Sequence, residues 1–240
     1  MNKRVRELEI AGVIDFTRQR DWFDPTTEQT KLTVIGAGGI GSLFTLMAGK
    51  LGISKITIYD DDLIESHNLP NQLFPLDSFG YYKADAMSST LEAFTISEPV
   101  AKNEKVTKDT RLSGLIVSGV DSMDARKEIA QAVHANRLNI PRYWDARIGG
   151  EKIVIYSVNP RDPAEWAAYE KTLYSDEDAQ EDPCTRRSVI DVMGHVGSHL
   201  LTGVREQLAG ETPAGFIYMH VGEKTLFSGT LEAAVGEVVS

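Results

Sequence analysis

The sequence holds a single cysteine, Cys184, in 240 residues. One cysteine excludes an internal disulfide framework and the paired CxxC motifs of a structural zinc site. Long hydrophobic runs are missing as well; the longest fall far short of what a bilayer requires. The start lacks a charged segment followed by an apolar one, so export is not expected. These absences lead us to expect a cytoplasmic protein without membrane association. Basic residues are in deficit, 25 Lys and Arg against 35 Asp and Glu, for a formal charge of −10. Broad nucleic-acid binding needs a basic field and is not expected here. An acidic, solvated surface is compatible with a basic protein partner. Internal repeats and low-complexity segments are absent. Apolar residues are plentiful, 42% of the chain, ample for a buried core, and the length suits one α/β domain with an extension or one domain and a small second lobe.

The stretch Thr33–Asp62 organises the rest. Leu32–Ile35 is a short apolar strand that enters Gly36-Ala37-Gly38-Gly39-Ile40-Gly41 without a break. Leu43, Phe44, Leu46, Met47 and Leu51 then follow at helical spacing. Gly52 closes that helix, and Lys55–Tyr59 supplies a second strand. Gly36, Gly38 and Gly41 form a GxGxxG pattern between strand and helix, the context in which it carries meaning. The first glycine permits the turn, the second admits a phosphate, and the third lets helix and strand approach. The helix N-terminus offers N–H groups to an anion. Asp60, at the tip of the second strand, is placed to bind a ribose.

The N-terminal residues 1–31 read as an arm, helical at first. Arg18 is either a solvated arginine of that arm or a phosphate ligand. Residues 32–160 read as a Rossmann-like core with a mostly parallel sheet and a ligand site at the strands' carboxyl ends. Residues 161–240 read as a crossover loop, a helix and C-terminal strands of the same domain. Asp60–Phe74 gathers acids and amides just beyond a strand. His67 there is a candidate base without a metal-ligand partner at useful spacing. Asn68 and Gln72 suit holding a ligand or a loop. Lys83 opens the helix Ala84–Phe94, where a cation opposes the macrodipole and so hints at an anionic ligand. Val100–Val106 reads as a returning strand.

Leu115–Ser122 runs as a buried strand into small residues and Asp121, ahead of a helix beginning near Asp124. Asp121 or Ser122 serves as that helix's N-cap, or Asp121 holds magnesium on a nucleotide. Pro141–Asp145 and Lys152–Val158 read as strands joined by Arg147–Gly150, and Pro160–Tyr174 as partly helical. An acidic loop, Ser175–Pro183, leads to Cys184 and then to a helix, Thr185–Leu208, with small residues for close packing. Phe216–Val221 and Lys224–Ser228 read as a hairpin. Cys184 is either a small buried hydrophobe or, beside Arg186, Arg187 and a helix start, a thiolate nucleophile.

In order, Arg18-Gln19, GAGGIGS at Gly36–Ser42, IYDDD at Ile58–Asp62, HNLPNQ at His67–Gln72, Lys83, and VDSMDAR at Val120–Arg126 resemble the ThiF/MoeB-type adenylyltransferases. That superfamily includes the ubiquitin-activating enzymes, and the likeness spans Thr17–Leu208. It implies that Gly36, Gly38, Gly39 and Gly41 hold ATP, with Asp60 on the ribose, Asp62 beside it, and Gln72 nearby. It implies that Asn68, Lys83 and Arg18 contact the phosphates, Arg18 from the other subunit of a homodimer. Asp121 would ligate magnesium. The implied reaction is adenylation of the C-terminal glycine of a small ubiquitin-like or sulfur-carrier protein, which some members capture on a cysteine at the place of Cys184. Asn71 stands where the family usually has arginine, leaving Arg20 or Arg126 as substitutes, and the zinc motifs of many relatives are missing. An inactive nucleotide- or carrier-binding scaffold, a tRNA-modifying dehydratase and an NAD-dependent oxidoreductase are the competing readings. Acidic charge counts against the dehydratase, and Lys83, Asn68 and Asp121 count against the oxidoreductase.

Overall fold

The computed structural model describes residues 7–9, 11–26, 30–174 and 189–232. Among these residues, eight strands form one sheet in the order β3-β2-β1-β4-β5-β6-β7-β8. They are β1 Lys31–Ile35, β2 Lys55–Tyr59, β3 Glu98–Lys102, β4 Leu115–Ser118, β5 Tyr143–Gly149, β6 Lys152–Val158, β7 Phe216–His220 and β8 Thr225–Gly229. Pairing is parallel from β3 through to β5 and antiparallel from β5 to β8. The expected mostly parallel, Rossmann-like α/β architecture is therefore present, with the C-terminal hairpin added to one edge.

Among the described residues, five helices cover the sheet: α1 Gly39–Leu51, α2 Lys83–Phe94, α3 Met123–Ala135, α4 Pro163–Glu170 and α5 Ile190–Leu208. Residues alternate across the strands, and both faces are buried, which explains why β1 and β4 read as unbroken apolar runs. Leu32, Val34, Leu115 and Val117 face a core shared with Phe44 of α1, Met87 of α2 and Val196 of α5. Ile35 and Ile116 face a second core with Ile129 of α3 and Trp166 and Tyr169 of α4. Gly197 lets α5 lie close on α1, since a Cβ there would meet Met47 and the Phe44 backbone at 3.3–3.5 Å.

Register fixes the site. Ile35 pairs with Tyr59 on one side and Ser118 on the other, so β1, β2 and β4 end level. Gly36, Asp60 and Gly119 emerge together, and the chain departs to opposite sides of β1 there. Such a switch point opens a crevice for ligands.

Two strands differ from the sequence expectation. β3 spans Glu98–Lys102 instead of Val100–Val106, because the edge is set by pairing Lys55 with Glu98 and Tyr59 with Lys102. Val106 is instead a buried loop residue of the second core. β5 does not stop at Asp145 but continues through Gly149, where a two-residue turn begins at Gly150 with φ 62°. That positive φ at the first turn position makes a tight hairpin, and the antiparallel β6 holds Ala146–Gly149 in the sheet. In the arm, residues 11–26 pack at the far end of α1: the Gln19 carboxamide donates to the Leu51 carbonyl at 2.6 Å. Among the described residues no helix is long and apolar enough to cross a membrane.

Candidate active site

A cleft of about 920 Å³ lies over the level ends of β1, β2 and β4, the size range of small-molecule sites. Its floor is the glycine turn. Gly36 has φ 89° and donates its N–H to the Tyr59 carbonyl at 2.8 Å. A Cβ on Gly41 would fall 1.8 Å from the Gly36 carbonyl oxygen, so helix and turn meet only through glycine. A Cβ on Gly39 would strike the Met193 side chain at 2.8 Å. Gly38 differs: its Cβ direction holds only the Gln72 amide, at 3.9 Å, and opens on the cleft. The N-cap of α1, Gly38, has no side-chain cap hydrogen bond, which leaves the first-turn N–H groups to a ligand.

Asp60 stands over this floor. Its Oδ2 accepts from the Ala37 N–H at 2.6 Å and its Oδ1 from the Asp62 N–H at 2.9 Å. Burial pushes its carboxyl above the ordinary value, against the lowering effect of those two hydrogen bonds. Asp62 forms an ion pair with Lys83, Nζ to Oδ2 at 2.7 Å. Lys83 is the first residue of α2 and is buried, while Asp62 is largely exposed. A buried ammonium aimed along the cleft wall from a helix N-terminus gains from a nearby anion, which Asp62 supplies in this state.

The loop after β2 is held by its own amides. Asn68 is buried, and its Oδ1 accepts from the Glu65 N–H at 2.9 Å, so it builds the loop as well as lining the cleft. Gln72 lines the cleft and has a buried Oε1 without a hydrogen-bond partner. His67 sits exposed at the rim, 3.2 Å from Glu65.

On the opposite wall, the two roles open for Asp121 and Ser122 separate. Ser122 caps α3, its side chain accepting from the Ala125 N–H at 3.2 Å. Asp121 takes no part in that cap and presents an exposed carboxylate to the cleft. Among the described residues no three His, Cys, Asp or Glu side chains gather into a metal cage. A nucleotide-bound magnesium needs only one or two protein carboxylates, its other ligands being water and phosphate. Asp121 fits that requirement, and the open Gly38 and the unpartnered Gln72 fit a nucleotide above it.

The structure thus brings together Gly36, Gly38, Gly39, Asp60, Asp62, Asn68, Gln72, Lys83 and Asp121 in one lining, with Gly41 just beneath. Arg18 does not join them. It is exposed beside Gln19, at the end of α1 remote from the glycine turn, about 20 Å along the helix. Cys184, with Arg186 and Arg187, lies outside the described residues. Neither candidate to replace the arginine missing at Asn71 is uncommitted. Arg20 pairs with Glu9 at 2.7 Å, and Arg126 bonds Asp145 and the Val120 carbonyl.

The sequence reading missed other lining residues, including Glu104, Lys105, Ile148 and Met193. It also missed Asp145 and Arg147, although two opposite charges inside the apolar run Tyr143–Ile148 were a visible signal of a buried pair.

Comparison with known proteins agrees with this geometry. Residues 23–218 match the model of the ThiF family. The ubiquitin-like modifier-activating enzyme 5 of Oryza sativa subsp. japonica is 28% identical over 149 residues, 54% of this chain and 34% of that protein. Its namesake from Arabidopsis thaliana is 25% identical over 157 residues, 56% and 35% of the two chains. The chain therefore matches about a third of the length of these relatives. Among solved structures, E. coli MccB with AMPCPP and MccA superposes with a TM-score of 0.66 at 18% identity, over 85% of this chain and 64% of the other. PaaA gives 0.66 at 14% identity over 95% and 82%. These two likenesses concern the fold. The family match, which takes in most of the sequence, β1 to β6 and the first residues of β7, identifies this chain as a member of the ThiF family.

Proposed function

We propose that this chain uses ATP to adenylate the C-terminal carboxylate of a small ubiquitin-like or sulfur-carrier protein. One observation carries the reading: a glycine turn, a ribose-side carboxylate, a buried lysine and an uncapped aspartate share one cleft. The names of the relatives support it, two being modifier-activating enzymes and MccB having been crystallised with AMPCPP and MccA.

A carboxylate is a poor acylating agent, and attack of its oxygen on the α-phosphorus makes a mixed anhydride as the bond to the β-phosphate oxygen breaks. Pyrophosphate leaves with the electron pair. No proton need move, so the site's task is alignment and charge stabilisation. In this reading the α1 N-terminus cradles phosphates, Asp60 accepts from the ribose hydroxyls, and Lys83 turns from Asp62 to the phosphate chain. Asn68 and Gln72 fix the loop and the ligand's near edge. Asp121 would hold magnesium, which supplies charge neutralisation on the departing pyrophosphate. Arg18 reaches the cleft of a second copy in a homodimer, and the Cys184 thiolate attacks the acyl carbon, breaking its bond to the phosphate oxygen so that AMP leaves and a thioester remains.

ATP–pyrophosphate exchange with magnesium, with and without small proteins ending in Gly-Gly, tests this. Exchange that requires such a protein is the expected result, and Asp121→Ala abolishes it without unfolding the chain. Nucleotide binding without exchange under any such partner would instead favour a scaffold, the reading that Asn71 and the committed Arg20 and Arg126 support.

A further inference from the structure

β5 carries a carboxylate that the proposed chemistry never touches. Asp145 is 0% exposed and lies behind the cleft wall, outside its lining. One of its oxygens accepts from Arg126. The other accepts from Arg147, Nε at 2.9 Å and Nη2 at 2.7 Å, and from the Tyr169 hydroxyl at 3.1 Å. Arg126 rises from the first turn of α3 and lines the cleft. Its guanidinium forks, Nη2 donating to the Val120 carbonyl and Nη1 to the Ala146 carbonyl at 3.2 Å. Val120 is the residue just before Asp121.

Stability alone does not account for this arrangement, since well-packed apolar groups hold a core as well as a buried ion pair. Position does. Asp121, Asp124 and Glu128, from the turn and helix that carry Arg126, also line the cleft. A guanidinium on a flexible stem next to them would swing outward and neutralise the nearest one. The fully desolvated Asp145 offers a stronger, fixed counter-charge on the interior side. We propose that Asp145 is a positioning residue for the metal–nucleotide site. By clamping Arg126 onto the Val120 carbonyl it fixes the Val120–Ser122 turn and keeps Arg126 off the Asp121 carboxylate. The proposal rests on Asp121 being the magnesium ligand.

The test is equilibrium binding of a fluorescent, non-hydrolysable ATP analogue to the full chain, titrated with magnesium. Outer-shell partners of metal ligands typically change metal affinity 10–100-fold. Asp145→Asn should therefore raise the half-saturating magnesium concentration about tenfold or more, with little change in binding without magnesium. Arg126→Lys, which keeps the charge but loses the fork, should do the same and decides the matter if Asp145→Asn does not fold. Arg147→Gln disturbs the same carboxylate yet leaves the Arg126 clamp, so it should lower the melting temperature without moving the magnesium midpoint. A midpoint unchanged in every folded variant of Asp145 and Arg126 overturns the proposal alone. Binding that ignores magnesium in the parent chain overturns this proposal alone, and absence of any binding overturns the nucleotide reading and this proposal with it.

Discussion

Lys83 illustrates how one residue can be costly in isolation and useful in context. Its ammonium is buried at a helix N-terminus, where both desolvation and the helix dipole oppose it, and a single exposed carboxylate offsets them. Replacing it by glutamine removes that cost, so stability should change by no more than about 1 kcal/mol, the range of partly exposed pairs. Exchange activity should fall about 10²–10³-fold, the usual effect of losing one preorganised group that stabilises transition-state charge. Equal losses in stability and activity would argue that the lysine is structural. Asp145 behaves oppositely. Burial alone would raise its carboxyl, but Arg126 and Arg147 overcome this and hold it below the ordinary value. A depressed folded-state value means that its contribution to stability is complete above the unfolded value and is lost as the pH falls through the folded one. Urea midpoints of the parent chain should therefore drop steeply below about pH 4. Asp145→Asn, which strands two buried guanidinium groups, should start about 3–5 kcal/mol less stable and lack that part of the acid dependence.

At the scale of elements, the glycines of the β1–α1 turn divide into two kinds, and substitution separates them. Gly41→Ala places a methyl group inside the Gly36 carbonyl, so it should lower the melting temperature and nucleotide binding together. Gly38→Ala meets nothing closer than the Gln72 amide at 3.9 Å and should leave the melting curve unchanged while weakening ATP binding, because its methyl group occupies ligand space. Thermal melts followed by circular dichroism, with binding measured on the same samples, make the distinction. This unit was also the most legible part of the sequence. Its signals are local: a run of apolar residues, fixed glycine spacing, a helical stripe, and an acid at the next strand's end. β3 was harder, since an edge strand with every second residue exposed takes its bounds from its neighbour. The continuation of β5 depended on its hairpin partner, and the Asp145 cluster on residues from β5, α3 and α4 meeting in the interior. Lys83 and Asp121 were readable as charges at strand or helix ends. That Ser122 caps α3 and frees Asp121 needed coordinates.

For the whole molecule, the arm sets the next question. Residues 11–26 pack on the end of α1 remote from the cleft, so Arg18 serves its own chain no phosphate. In the proposed homodimer it serves the neighbour's. Mixing inactive Arg18→Ala chains with inactive Asp121→Ala chains should then restore exchange, because one of the two shared sites in a mixed dimer carries both residues. Recovery near one quarter of the parent rate is the random-mixing expectation, roughly, for fully shared sites. A mixture as inactive as its parts, with a dimer present by sedimentation, would assign Arg18 to the solvated surface.

The change from parallel to antiparallel pairing at β5 also has a consequence for the order in which the protein is made. The glycine turn, Asp60, Lys83 and Asp121 are all synthesised before β5, although α1 meets its partner α5 only near the end of the chain. Asp145, Arg147 and Tyr169 emerge from the ribosome only afterwards, and β6 later seals the former two inside. The residues of the proposed nucleotide floor thus precede, in order of synthesis, the residues that clamp Arg126.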